Sequence, residues 1–348
     1  MKLNMKLLTA LAGVALCSAA NAQVNVTIGG STAIRGLLYD RVVSLFSPAP
    51  TISSNSANFV TFSGSVTGVA GTTVIRCSGS GSSEGLDALV SGAFQPTCVN
   101  GLTTLETNRA LDICLSDIFS ESAYPVSFDS GNFDVSKLCV IPFVFMKNST
   151  AGSLTGVTNL TRDQALALFT TSSSNFPQSF YGGTTTNKAV LLVGRNPLSG
   201  TRITIDKDTG FTASPRYWMT NSTGGLTNGP GYDSGAKVRD TVRNYVNTIG
   251  YLGGVQSDIT SATTTLLTYD GVPFAPANVI NGSYPLWGYE QILNNAGVLD
   301  PNQTTVRDNL IAAFANATFT SSALFTNSAV KLSDMQVQRA TDGATITP

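Results

Sequence analysis

Short apolar runs recur along the chain, each closed by a glycine- or serine-rich turn and followed by a segment whose apolar positions lie three and four apart. VNVTI at 24–28 predicts a strand, and beyond Gly29-Gly30-Ser31-Thr32 the positions Ile34, Leu37, Leu38, Val42 and Leu45 predict a helix. TVIRC at 73–77 predicts the next strand, SGSGSSEG a turn, and 86–94 a second helix. The further apolar runs at 111–115 and 138–145 suit strands buried in a parallel sheet. Strand, glycine turn and helix in repetition is the grammar of an α/β protein.

From Asn148 the chain turns polar, and Thr161-Arg162-Asp163-Gln164 has the capping-box pattern that opens a helix over 165–170. A strand at 188–193 leads into GRNPLSGT, and a helix carrying Val238, Val242, Tyr245 and Val246 runs up to IGYLGG at 249–254. That glycine-flanked strand would return the chain to the first unit. Beyond it the pattern predicts an apolar run at 287–293, a helix at 305–315 and a polar tail at 331–348. The Ser/Thr-rich stretch 51–73 reads as a surface loop or hairpin, and no fixed-period repeat is present.

The first 22 residues change the setting. Lys2 and Lys6, an apolar run at 7–16 and Ala20-Asn21-Ala22 form a secretory signal ending before Gln23, so the chain is expected in the periplasm or outside the cell. Without that leader, 18 Lys and Arg against 21 Asp and Glu leave a formal charge of −3. Charged residues make up only 12% of the chain, about half the usual share. Nucleic acid, which needs a basic face, is therefore not an expected partner.

Histidine is absent from the whole chain. That removes Ser-His-Asp and Cys-His catalysis and most transition-metal sites, and the chain is expected to be a cofactor-free binding protein rather than an enzyme. The cysteines left after the leader, Cys77, Cys98, Cys114 and Cys139, are an even set in an oxidising compartment and are disulfide candidates. Of the three possible pairings, the one joining sequence neighbours, Cys77 with Cys98 and Cys114 with Cys139, is preferred.

Small polar residues recur where predicted strands end: Ser31 and Thr32, Ser82 and Ser83, Ser116 and Asp117, and Ser199 to Thr201. In open parallel sheets ligands bind beyond the carboxyl ends of the strands. Backbone N–H groups in the first turn of a helix carry partial positive charge, so converging helix N-termini make an anion site that one arginine completes. Arg195 ends a predicted strand just before such a turn. Each hydroxyl also has a second reading, as an ordinary N-cap, and Asp117 could cap a following helix. A P-loop is excluded because neither glycine-rich turn contains Gly-Lys-Ser/Thr.

GGSTAIRGLLY, GSGSSEGLDAL, LDICLSD, IPFVFMKNS, LTRDQALALF, VGRNPLSGTR and IGYLGG stand in one order between Gly29 and Gly254. In these pieces the chain resembles the phosphate-binding proteins of ABC transporters, within the type II periplasmic binding protein superfamily. The resemblance implies a two-lobed α/β fold with a ligand cleft between domains joined by a two-crossing hinge. Domain 1 would be 23–144 plus 251–348 and domain 2 145–250, with crossings near 143–147 and 249–253. It implies inorganic phosphate as ligand, a membrane permease as partner and a monomeric receptor. Thr32, the Ala33 backbone, Ser82, Ser199, Gly200 and Thr201 would donate hydrogen bonds, Asp117 would accept one and Arg195 would supply charge. The chain has Pro197 where relatives often carry an acid, Ala33 where an aromatic is common, and a longer segment between Ser83 and Asp117. A surface protein without a transport role and a secreted phosphatase are the alternatives on the same scaffold.

Overall fold

The structure, a computed structural model, describes residues 23–170, 176–254 and 259–348, so the expected leader lies outside the described residues. The first half runs β1 (Val24–Gly30), α1 (Arg35–Ser44), β2 (Thr51–Ser56), β3 (Phe59–Gly64), β4 (Thr73–Gly79), α2 (Ser82–Ser91), β5 (Gln95–Cys98), β6 (Leu105–Arg109) and β7 (Ile113–Ser116). A long strand, β8 (Phe133–Asn148), then leads into β9 (Asn159–Leu160), α3 (Arg162–Thr170), β10 (Leu191–Val193) and α4 (Gly200–Thr209). After β11 (Tyr217–Thr220), β12 (Leu226–Gly229) and α5 (Gly235–Asn244) come β13 (Thr248–Gly253), β14 (Thr264–Leu266) and β15 (Thr268–Tyr269). The chain closes with α6 (Pro276–Ile280), β16 (Trp287–Asn295), α7 (Pro301–Phe314) and shorter turns.

The main sheet has the order β10-β13-β8-β16-β7-β1-β4-β3-β2, with β14 also on β8. β8 belongs to both halves: residues up to Pro142 pair with β16, while Phe143 to Lys147 pair with β13. The two crossings predicted near 143–147 and 249–253 are thus neighbouring antiparallel strands. β1 sits between β4 and β7, parallel to both, with Val26 and Ile28 buried in the larger core. Helix α2 lies against β1 so closely that a Cβ on Gly85 would be 2.5 Å from the Gly30 Cα. Gly30 itself has φ +105°, so both positions need glycine.

Several predicted elements shift in extent. The second helix starts at Ser82 and ends at Ser91, leaving Phe94 exposed, because the turn's serines already belong to its first turn. The stretch 51–73 supplies β2 and β3, an antiparallel hairpin that closes the sheet edge beside β4. The segment that lengthens the Ser83-to-Asp117 connection forms the β5–β6 hairpin. The capping box at Thr161 is formed in both directions, Gln164 N–H to Thr161 Oγ1 at 3.1 Å and Thr161 N–H to Gln164 Oε1 at 3.0 Å.

The disulfide expectation is corrected. Cys77, Cys98, Cys114 and Cys139 are buried free thiols. Cys77 pairs with Val60 across β3 and β4, whereas Cys98 lies over Thr61, the next residue, through a 2.6 Å bond from Thr61 Oγ1 to the Cys98 carbonyl. Alternate residues of a strand face opposite sides, so these two thiols stand on opposite faces of the sheet. Cys114 and Cys139 are likewise divided, the first in the smaller apolar cluster and the second in the larger. Nearness in sequence did not translate into a shared face.

Candidate functional site

The turns that follow β1, β4, β7 and β10 meet at the junction of the two halves. Asp117, just past β7, is 2% exposed and sits at the centre. One of its carboxylate oxygens accepts from the Ser82 hydroxyl in a short bond, and the other accepts from the Thr201 hydroxyl at 3.1 Å. Ser82 opens α2 in the first half and Thr201 lies in the first turn of α4 in the second, so the carboxylate links the two. A backbone bond makes the same crossing, Ser83 N–H to the Leu198 carbonyl at 3.2 Å. Neither carboxylate oxygen is spent on capping a helix after Asp117, where only a 3-10 turn at Ser120–Ser122 follows.

Gly200 is dictated by this packing. A Cβ there would lie 1.7 Å from Asp117 Oδ1 and 2.7 Å from Ser82 Oγ. Gly200→Ala is expected to force the halves apart at the carboxylate and to lower stability by about 1 to 3 kcal/mol. A melting curve checks this, and an unchanged Tm would show that the halves need not meet here.

Arg195 follows β10 and is 3% exposed. Its Nε donates to the Tyr232 carbonyl at 3.3 Å and its Nη2 to the Asp233 carbonyl at 3.1 Å and to Thr32 Oγ1 at 3.4 Å. Its backbone N–H donates to the Tyr251 hydroxyl at 3.1 Å, and that hydroxyl lies 2.7 Å from the Tyr217 hydroxyl. The guanidinium is therefore aimed by neutral carbonyls and keeps its net charge for another partner. Burial pushes the Asp117 carboxyl above its ordinary range, opposed by the Ser82 hydroxyl, the Arg195 charge and the Thr201 hydroxyl. Burial also lowers the Arg195 guanidinium, with Asp117 the largest opposing influence. Arg195 is thus tolerable in the interior chiefly because of Asp117, and Asp117 chiefly because of the Ser82 hydroxyl with Arg195 next.

Of the predicted residues, Thr32, Ser82, Asp117, Arg195, Gly200 and Thr201 converge. Ser199 serves as the N-cap of α4, accepting from the Arg202 N–H at 3.4 Å. Ala33 stands one step back, its N–H donating to Ser31 Oγ at 3.2 Å. Ser31 in turn donates to Glu290 Oε2 at 3.2 Å, which brings a second buried carboxyl behind the site. Glu290 went unnoticed in the sequence, although a lone acid inside WGYEQIL is the kind of interruption that marks one. A groove of about 560 Å³ opens beside α4, lined in part by Tyr124, Pro197, Arg202 and Asp342. Among the described residues no cluster of three or more Cys, Asp or Glu is placed to hold a metal ion.

No protein-family model matches the chain. It is 28% identical over 181 residues to the phosphate-binding protein PstS of Bacillus subtilis, covering 52% of this chain and 53% of that protein. The chain thus spans about half the length of the curated relative it matches. Among solved structures it is similar to a protein from Clostridium perfringens described as a phosphate ABC transporter substrate-binding protein with bound phosphate. That match has a TM-score of 0.60 at 16% identity and covers 88% of this chain and 99% of the other. An ABC-type phosphate transport receptor from Vibrio cholerae matches with a TM-score of 0.51 at 15% identity, covering 84% and 94%. The chain thus has the two-lobed α/β fold of these solved structures.

Proposed function

We propose that the chain is an extracytoplasmic receptor that captures inorganic phosphate between its lobes and delivers it to the permease of an ABC transporter. The observation that carries this reading is the constellation of Asp117, Arg195 and the hydroxyls of Thr32, Ser82 and Thr201, drawn from both halves and buried together. Arg195 supplies the charge an anion needs. The hydroxyls and the first turns of α2 and α4 supply neutral donors, and Asp117 supplies the acceptor that a protonated oxyanion can satisfy. The proteins it matches are named as binding proteins and transport receptors rather than as enzymes.

The lobes divide on β8 and β13, near 143–147 and 249–253, which act as the hinge. Domain 1 takes 23–144 and 251–348 apart from β14 and β15. Domain 2 takes 145–250 together with β14 and β15, whose partners are residues 146–148 and 159–160. Because Asp117 and Arg195 are almost wholly covered, the lobes must part for an anion to enter. The leader directs export, and the receptor works as a monomer.

A thermal-melt screen against phosphate, arsenate, sulfate, molybdate and simple sugars tests this. A ligand bound only by the folded state adds about 2.7 kcal/mol at a hundredfold excess over Kd. Phosphate is expected to raise Tm clearly, arsenate to follow and sugars to do nothing. No shift with any oxyanion would overturn the transport reading and favour a surface protein that kept only the fold.

A further inference from the structure

Glu290 is fully buried on β16 and takes no part in the donor set described so far. β16 is irregular between Glu290 and Gln291, where its pairing register with β8 shifts. Such bulges redirect a side chain and are common beside sites. Two contacts hold this strand against the anion site. Gln291 Nε2 donates to the Ile118 carbonyl at 2.9 Å, one residue past Asp117, and a Cβ on Gly288 would lie 3.0 Å from the Asp117 carbonyl oxygen. Ser31 Oγ donates to Glu290 Oε2, while Oε1 is buried with no hydrogen-bond partner.

The groups around Glu290 offer no compensating charge. Asp117 faces it from the turn after β7, the Cys114 and Cys139 thiols from β7 and β8, and Ser31 from the turn after β1. The Arg195 guanidinium feels the Asp117 charge and donates to Thr32 and to carbonyl oxygens. A carboxylate in that position would be a second negative charge beside Asp117 at the proposed anion site.

We propose that Glu290 sets the pH range over which this site holds its anion tightly: it is a buried neutral carboxyl one hydrogen bond behind the Ser31–Ala33 turn, whose proton must be retained for a doubly charged oxyanion to bind at full strength. This rests on the phosphate reading above. Burial pushes the Glu290 carboxyl well up, Asp117 adds to the rise, and the Ser31 hydrogen bond only partly opposes it. Ionising it would place like charges in a dry interior, where their repulsion is far stronger than in water. Anion affinity and the Glu290 proton are therefore linked, and each favours the other.

The test compares phosphate affinity of the parent and Glu290→Gln from about pH 6 to about pH 9, since phosphate's own ionisation cancels in the ratio of the two. The variant is expected to bind like the parent at the acid end and about tenfold or more tighter than the parent at the alkaline end, one pK unit of coupling being tenfold. A ratio that stays constant across the pH range in which the Glu290 carboxyl, followed by infrared spectroscopy, loses its proton overturns the inference while leaving the phosphate reading intact. No phosphate binding by either protein at any pH would instead overturn that reading, and this inference with it.

If Glu290→Gln fails to fold, the parent's infrared spectrum gives the answer. Near pH 8, labelling glutamate with 13C at its side-chain carboxyl separates Glu290 from the buried aspartates that burial also raises, Asp117 among them. A protonated-acid C=O band persisting there, and fading at the pH where phosphate affinity falls, is expected. Its absence at that pH would overturn the inference.

Discussion

Asp117→Asn is expected to collapse the preference for phosphate over sulfate. The carboxylate is 2% exposed and accepts two hydroxyls from opposite lobes, so it is a built acceptor rather than a solvated charge. Near neutral pH phosphate retains at least one proton and can donate to Asp117, whereas sulfate has none to give. Sulfate would set oxygen against carboxylate and leave a buried charged group unpaired, at a cost of about 2 to 5 kcal/mol. Sites that pair with a ligand proton can reject the analogue lacking it by about 10⁴ to 10⁵. The amide of asparagine can donate, so the variant should accept sulfate and lower the phosphate-to-sulfate affinity ratio by at least about a hundredfold. Competition binding measures that ratio. A variant that melts lower but keeps the parent's ratio would reduce Asp117 to a structural clasp between Ser82 and Thr201.

Arg195→Ala is expected to lose phosphate affinity by about 30-fold to several thousandfold, from the 2 to 5 kcal/mol attached to stranding a buried charge partner. Arg195→Lys should fall between the two. Lysine keeps the charge but loses the planar fork, whose Nε and Nη2 are here fixed by the Tyr232 and Asp233 carbonyls and by Thr32. An ammonium on a flexible stem would satisfy one of those acceptors at the expense of its aim at the ligand. Calorimetric Kd values, with Tm followed in parallel to separate affinity from folding, decide the matter. Parent-like binding by both variants would show that the arginine serves the packing of β10 and not the anion.

Why some of this was legible in the sequence and some was not has a physical cause. Strands such as β1 and β4 are largely buried along their length, so they read as short apolar-rich runs, and their ends carry the turns that build the site. Ser82, Asp117, Arg195 and Thr201 were visible because local signals placed each at a strand end; parallel pairing gathers the ends of β1, β4 and β7, and the second half sets the turn after β10 opposite them. Ser31 and Glu290 were not visible as a pair, because their contact joins residues 259 apart and depends on β16 lying beside β7. The thiols misled for the same reason, since the face a cysteine occupies follows from strand register, which spacing does not report. The tail beyond Lys331 has no periodicity to read, yet it is fastened by side chains. Arg339 pairs with Asp208 at 2.9 Å, and Asp342 accepts from the Phe119 N–H at 2.9 Å. Such single polar anchors leave no pattern in a hydropathy profile.

The central claim is that one oxyanion is held where the two lobes meet, by Arg195, by donors from both lobes and by Asp117. A crystal structure of the phosphate-loaded protein tests it most directly. The account predicts a single phosphate within hydrogen-bond distance of the Arg195 guanidinium, of Ser82 and of Thr201, with one oxygen close enough to Asp117 to share a proton. Phosphate found only in the neighbouring groove beside Arg202 and Lys207, with the Asp117 clasp unchanged, would contradict it.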